Sequence, residues 1–121
     1  MSLTVSTQVP PVGTKLVSDT NANQVVKTAV TGAAGSIFLI DIDNSGNSDN
    51  AAYLKIYDVS SVSVGSTAPD FIFKVPVNQR RSFAIPDGLS FSFLSFAVVT
   101  TPGTAGNTGP TNPVTVKMVT T

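Results

Sequence analysis

Apolar and polar residues alternate along most of this chain. In 71–77, FIFKVPV, residues Phe71, Phe73, Val75 and Val77 fall on one face and Lys74 and Pro76 on the other. That period of two is the mark of a half-buried strand. Pro76 has no amide to donate, so the pattern predicts an edge strand or a bulge there. In 36–43, Phe38, Ile40 and Ile42 point one way and Asp41 and Asp43 the other. In 53–58, Leu54 and Ile56 oppose Tyr53, Lys55 and Tyr57. In 89–100, LSFSFLSFAVVT, Leu89, Phe91 and Phe93 share a face before Leu94, Phe96 and Val98 take over the other. The step at Phe93-Leu94 predicts a bulge, or a strand covered on both sides. A last strand over 113–119 turns Val114, Val116 and Met118 inward.

No window carries the i, i+3, i+4, i+7 spacing of an amphipathic helix. Runs rich in Gly, Pro, Asn and Ser separate the strands: TGAAG at 31–35, NSGNSDN at 44–50, SVGSTAP at 63–69, PDG at 86–88 and TPGTAGNTGPTNP at 101–113. These residues have turn chemistry. Short strands at this spacing predict an all-β chain with one antiparallel β-sandwich or jelly-roll-like domain of seven to eight strands, over residues 14–121, and the spacing does not choose between jelly-roll and immunoglobulin-like topology. The expected core includes Phe38, Ile40, Leu54, Ile56, Phe71, Phe73, Phe91, Phe93 and Val116.

Residues 1–13 read differently, as an extended N-terminal arm. Pro10 and Pro11 remove two donors and hold the chain extended, so the arm cannot be a central strand. Leu3, Val5 and Val9 offer apolar side chains between polar Thr4, Ser6 and Gln8. A segment of that kind can add to a neighbour's sheet or lie in a groove. Leu3, Val5, Val9, Pro10 and Pro11 are therefore candidate partner-binding residues.

Charge and composition narrow the chemistry. The 121 residues carry seven Lys and Arg against seven Asp and Glu, and all seven acids are aspartates. No basic patch of the kind that neutralises phosphates is present, so nucleic acid is not an expected partner. Arg80 and Arg81, the one adjacent basic pair, read as an exposed edge or a subunit contact. Histidine, cysteine and tryptophan are absent. That removes the Ser-His-Asp triad, the Cys-His pair, the usual zinc ligands and any disulfide framework. The expectation is a non-enzymatic protein with no cofactor. No apolar run is long enough to span a membrane, and the first residues lack the basic and apolar regions of a secretory signal. A sugar-stacking site would have to use Tyr53 or Tyr57, and cross-strand packing is the simpler role for both.

One stretch raises a metal question. Asp41, Asp43, Ser45, Gly46, Asn47 and Asp49 resemble a calcium loop with alternating oxygen ligands. The flanks read as strands rather than helices, and Ala52 stands where a bidentate glutamate belongs. A polar turn between two strands is the expected reading, with no metal site.

The run from Ile42 to Val119 resembles a family of small virion proteins of tailed bacteriophages, including phages of cyanobacteria. The shared pattern is an Asn-containing hairpin after a strand, then Y-L-K-L/I-Y-D, a V-G-S/T-x-x-P turn, an apolar strand with P-V-P or V-P-V, and a G-L/I-x-F step into a long strand. Asn44, Tyr53–Asp58, Val64–Gly65, Pro69, Val75–Val77 and Gly88–Phe91 match it in order. The resemblance covers residues 37–119, leaving residues 1–36 outside it. It implies a virion location and a structural role, foremost as a capsid decoration (cement) protein bound to the major capsid protein or other virion proteins. A neck, tail or baseplate component and a fibre-tip receptor- or glycan-binding module are the alternatives. A small domain of this kind gains binding area by association, so a symmetric homo-oligomer is expected, with a trimer favoured.

Overall fold

β-Branched and aromatic residues at alternating positions pair into seven strands: β1 (Lys15–Ala22), β2 (Gly35–Asp43), β3 (Ala52–Tyr57), β4 (Phe71–Val75), β5 (Arg80–Phe91), β6 (Ser95–Val99) and β7 (Val114–Thr120). The computed structural model describes residues 3, 5 and 13–121, and among them there is no helix. All pairings are antiparallel. One sheet has four strands in the order β1-β7-β2-β5, and the other has three in the order β4-β3-β6. Both sheets keep open edges. Beyond β6 the chain over 23–30 runs alongside without forming a full strand. Lys27 and Phe96 exchange two 2.9 Å backbone bonds, and Val30 N donates to Leu94 O.

The two sheets contribute to one core. Ile37, Ile40, Ile42, Val114, Val116 and Met118 come from the first sheet, and Ala52, Leu54, Ile56, Val75, Phe96 and Val98 from the second. At the edge, Phe73 of β4 meets Phe83 of β5 with ring centroids 5.1 Å apart and planes tilted by 56°. Aromatic pairs favour this tilted arrangement.

Bulges explain where simple alternation fails. Ile37 and Leu39 of β2 sit opposite the adjacent residues Thr120 and Val119 of β7, so Phe38 is extra. The insertion shifts the phase and places Ile37, Ile40 and Ile42 inward, with Phe38 only half-buried. On the other side, Phe38 faces the stretch Ile85–Gly88, because Ile37 pairs with Leu89 and Leu39 with Ala84. The PDG sequence read as a turn is therefore a bulge inside β5. Pro86 cannot supply a rung, and Gly88 takes φ +79°, where a side chain is strained. A Cβ on Gly88 would also lie 3.0 Å from Phe38 Cε1.

The stretch 89–100 is not one strand. β5 ends at Phe91, the chain crosses between sheets, and β6 begins at Ser95. Asp58 Oδ1 accepts the amides of Ser92 at 2.7 Å and Phe93 at 2.9 Å, fixing the crossing. Phe93 is turned outward there and is 45% exposed, contrary to its expected core position. Phe71, expected in the core, is 40% exposed because it opens an edge strand with no further strand beyond it among the described residues. β1 carries too little alternation to be read as a strand, with Leu16 exposed and Val17 half-buried.

Burial separates two phenylalanines that look alike in sequence. Phe96→Ala should cost about 3–5 kcal/mol in urea denaturation, the usual penalty for emptying a buried aromatic site. Phe93→Ala should stay within about 1 kcal/mol of the parent, since an exposed ring leaves no cavity.

Candidate functional site

The start of β1, where the N-terminal segment joins the sheet, and the Arg80-Arg81 pair lie at opposite ends of the four-stranded sheet. Lys15, Thr120 and Ile37 mark one end by register, and Asp43, Thr115 and Arg80 mark the other. The arm therefore joins β1 at the end remote from Arg80 and Arg81. Leu3 is 80% and Val5 89% exposed. Val9, Pro10 and Pro11 lie outside the described residues.

Arg80 is engaged within its own sheet. Its Nε lies 3.1 Å from both Asp41 oxygens and its Nη2 is 2.7 Å from Oδ2, a fork-to-carboxylate pair. Ser82 Oγ donates to Asp41 Oδ1 at 2.8 Å. The Arg80 guanidinium, with Ser82, holds the Asp41 carboxyl below its ordinary value despite burial. Arg81 donates through Nε and Nη2 to Gln79 Oε1 and stays exposed.

The loop over 44–50 proves to be a hydrogen-bonded junction. Asn44 is fully buried and Asn47 is 1% exposed. Asn44 Nδ2 lies within bonding distance of Asn50 O (3.2 Å), Pro76 O (3.1 Å) and Val75 O (3.4 Å). Asn44 Oδ1 accepts from Asn47 Nδ2 at 2.9 Å, and Asn47 Oδ1 accepts the Asn112 amide at 2.7 Å. Asn112 Nδ2 donates back to Gly46 O at 2.8 Å. Asn78, at φ +57°, donates its amide to Asn47 O. Three loops are thereby joined at one end of the molecule: β2–β3, β4–β5 and the approach to β7.

The aspartates around this loop face separate partners. Asp41 takes Arg80 and Ser82, Asp43 Oδ1 accepts the Ser45 amide at 2.9 Å, and Asp49 Oδ2 accepts Thr111 Oγ1 at 2.6 Å. Ser45 lowers the Asp43 pKa and Thr111 that of Asp49. The described residues contain no group of three metal-ligating side chains.

On the outer face of the three-stranded sheet the residues read as polar are covered. Lys55 and Tyr57 have no exposure. Lys55 Nζ donates to Gly103 O at 2.6 Å and to Gly106 O at 2.8 Å, so the 100–110 loop lies over it. Burial pushes the Lys55 pKa down and that of Tyr57 up. The Tyr57 hydroxyl has no hydrogen-bond partner. Tyr53 stays half-exposed, with Lys74 Nζ 5.9 Å from its ring centre.

A groove of about 290 Å³ opens between β1 and the 23–30 segment. Val17, Ser18, Asp19, Lys27, Val30 and Phe96 line it. Lys27 Nζ is 4.0 Å from Asp19 Oδ2, which is buried and accepts no hydrogen bond. No pattern in the sequence pointed to this groove, since β1 and 23–30 both lack a clear strand pattern. Three asparagines in NSGNSDN were a visible signal for the junction.

Comparison with family models, with curated proteins and with solved structures finds no match for this chain. Among the described residues there is no helix long and apolar enough to cross a membrane.

The Asp41 pair sets an acid-side prediction. The folded pKa lies below the unfolded value, so the pair's stabilisation is present above about pH 4 and is lost as pH falls through the folded pKa. Melting temperature measured from pH 6 down to pH 2 should fall less steeply for Asp41→Asn than for the parent. Parallel curves would show that Asp41 contributes nothing to the acid limb.

Proposed function

We propose that this chain is a non-enzymatic virion structural protein of the tailed-phage type, foremost a capsid decoration (cement) protein. The carrying observation is the strand order. The chain alternates between layers, and with 23–30 counted as a reduced eighth strand the orders become β1-β7-β2-β5 and (23–30)-β6-β3-β4. That is the connectivity of a jelly roll, a double-sheet fold used in viral capsid domains. We therefore read the domain as a jelly-roll β-sandwich.

The residues that carry the virion-protein resemblance support the same reading, because each of several has a structural task. Asn44 holds the loop junction, Asp58 fixes the crossing into β6, and Gly88 makes the β5 bulge. Lys55, inside the Y-L-K-I-Y-D motif, ties down the 100–110 loop. None is left free to act on a substrate. Such a protein works by covering its neighbours' surface, and the major capsid protein is the proposed neighbour. Against a fibre-tip glycan module stands Tyr57, whose burial leaves Tyr53 as the one tyrosine with an accessible face.

Quantitative mass spectrometry of purified particles of the encoding virus tests the proposal. A decoration protein should be present in numbers comparable to the shell subunit. A single ring's worth of copies would move it to the neck, tail or baseplate, and absence from the particle would overturn the virion reading.

A further inference from the structure

β1 is an edge strand, bonded to β7 on one side and to no strand on the other among the described residues. The groove described above runs beside that open edge. Its floor is apolar: Phe96 is 1% exposed, and Val17 and Val30 pack against the core. At its wall Asp19 Oδ2 is buried without a donor, because Lys27 stays at 4.0 Å and the Asn21 amide bonds the other oxygen. An open strand edge, an apolar floor and a carboxylate oxygen lacking an N–H are the features an added strand would satisfy. Main-chain bonds would go to the edge, and alternate side chains would enter the groove.

The chain contains a segment of that description. Residues 1–13 hold no charged side chain, and Leu3 and Val5 are spaced two apart. In their own copy Leu3 and Val5 are uncovered, at 80% and 89% exposure, so they do not occupy their own groove. The route out of β1 agrees with this. Thr14 N donates to Thr120 O, continuing the β1–β7 ladder, and Gly13 lies against Val119. Gly13 and Thr14 thus continue the line of β1. A chain of twelve residues can span up to about 40 Å when fully extended, far enough to meet another molecule.

We propose that residues 3–9 of one copy add as a strand to the free edge of β1 in a second copy, seating Leu3 and Val5 over Val17, Val30 and Phe96. The contact is head-to-tail, donor arm into acceptor groove, and such contacts close into rings when the rotation permits. The proposal rests on the homo-oligomer part of the functional reading and supplies its contact.

The chain lacks cysteine, so introduced pairs report contacts cleanly. Full-length Leu3→Cys is mixed with full-length Val30→Cys under mild oxidation. The control partner is Val77→Cys, in the β4–β5 connection. The expected result is an intermolecular disulfide at roughly tenfold higher yield with Val30→Cys than with Val77→Cys, because docking raises the local thiol concentration. If Val30→Cys does not fold, Ser18→Cys at the exposed rim replaces it with the same expectation. Equal yields from groove and control positions in an oligomer would overturn the groove contact and leave the oligomer standing. A Leu3→Cys/Val30→Cys double variant that closes within one chain in excess parent protein would assign the arm to its own copy and overturn the exchange. Sedimentation as a monomer at tens of micromolar would overturn the second copy as occupant, while particle composition would still test the virion reading separately.

Discussion

The side chain of Asn44 sits at zero exposure at one end of the molecule, and its amide is bonded on both sides. A buried amide without partners costs several kcal/mol, so this residue is tolerable only if the β2–β3 loop, the Pro76 carbonyl and Asn47 arrive together. Asn47 in turn needs Asn112, and Asn112 needs Gly46. The network ties β2, which belongs to the four-stranded sheet, to the end of β4 in the other sheet and to the start of β7. Hydrophobic burial gives the two layers a reason to pack. The asparagines choose the register in which they pack, because any slip leaves buried donors and acceptors unpaired.

The edge formed by β1 and the 23–30 segment is built on other terms. Between β1 and the 23–30 segment the layers are joined by no bulky pair like Phe73 and Phe83, and the groove remains open. Lys15 reaches Thr31 O at 3.2 Å and Lys27 stands 4.0 Å from Asp19, both near the surface. Exposed contacts of this sort contribute little. A domain with one end locked and one edge unfilled is suited to receiving a strand from outside without disturbing its core, and that is how the proposed attachment arm finds a place in the fold.

Much of the architecture was legible in the sequence because alternation reports burial on one face of a sheet. Leu54 and Ile56, and Val114, Val116 and Met118, point where the pattern puts them. The pattern failed where a bulge changed the phase, at Phe38, and where the chain left the strand, at Phe93. Bulges arise from the partner strand, and Pro86 and Gly88 lie far from Phe38 in sequence, so no local window contains both. Lys55 failed for a related reason. Its face was read correctly as the outer one, but its cover comes from carbonyls at 103 and 106, far along the chain. The groove beside β1 was not legible, because it forms only when two segments with weak local patterns, β1 and 23–30, are placed side by side.

Amide proton exchange followed by nuclear magnetic resonance, with the side-chain amides assigned, tests the junction most directly. The Nδ2 protons of Asn44 and Asn47 should exchange only through global unfolding, while those of the exposed Asn78 exchange at rates near those of a free amide. Exchange of the Asn44 and Asn47 amides as fast as that of Asn78 would contradict a buried, bonded network and remove the constraint on which this account of the fold depends.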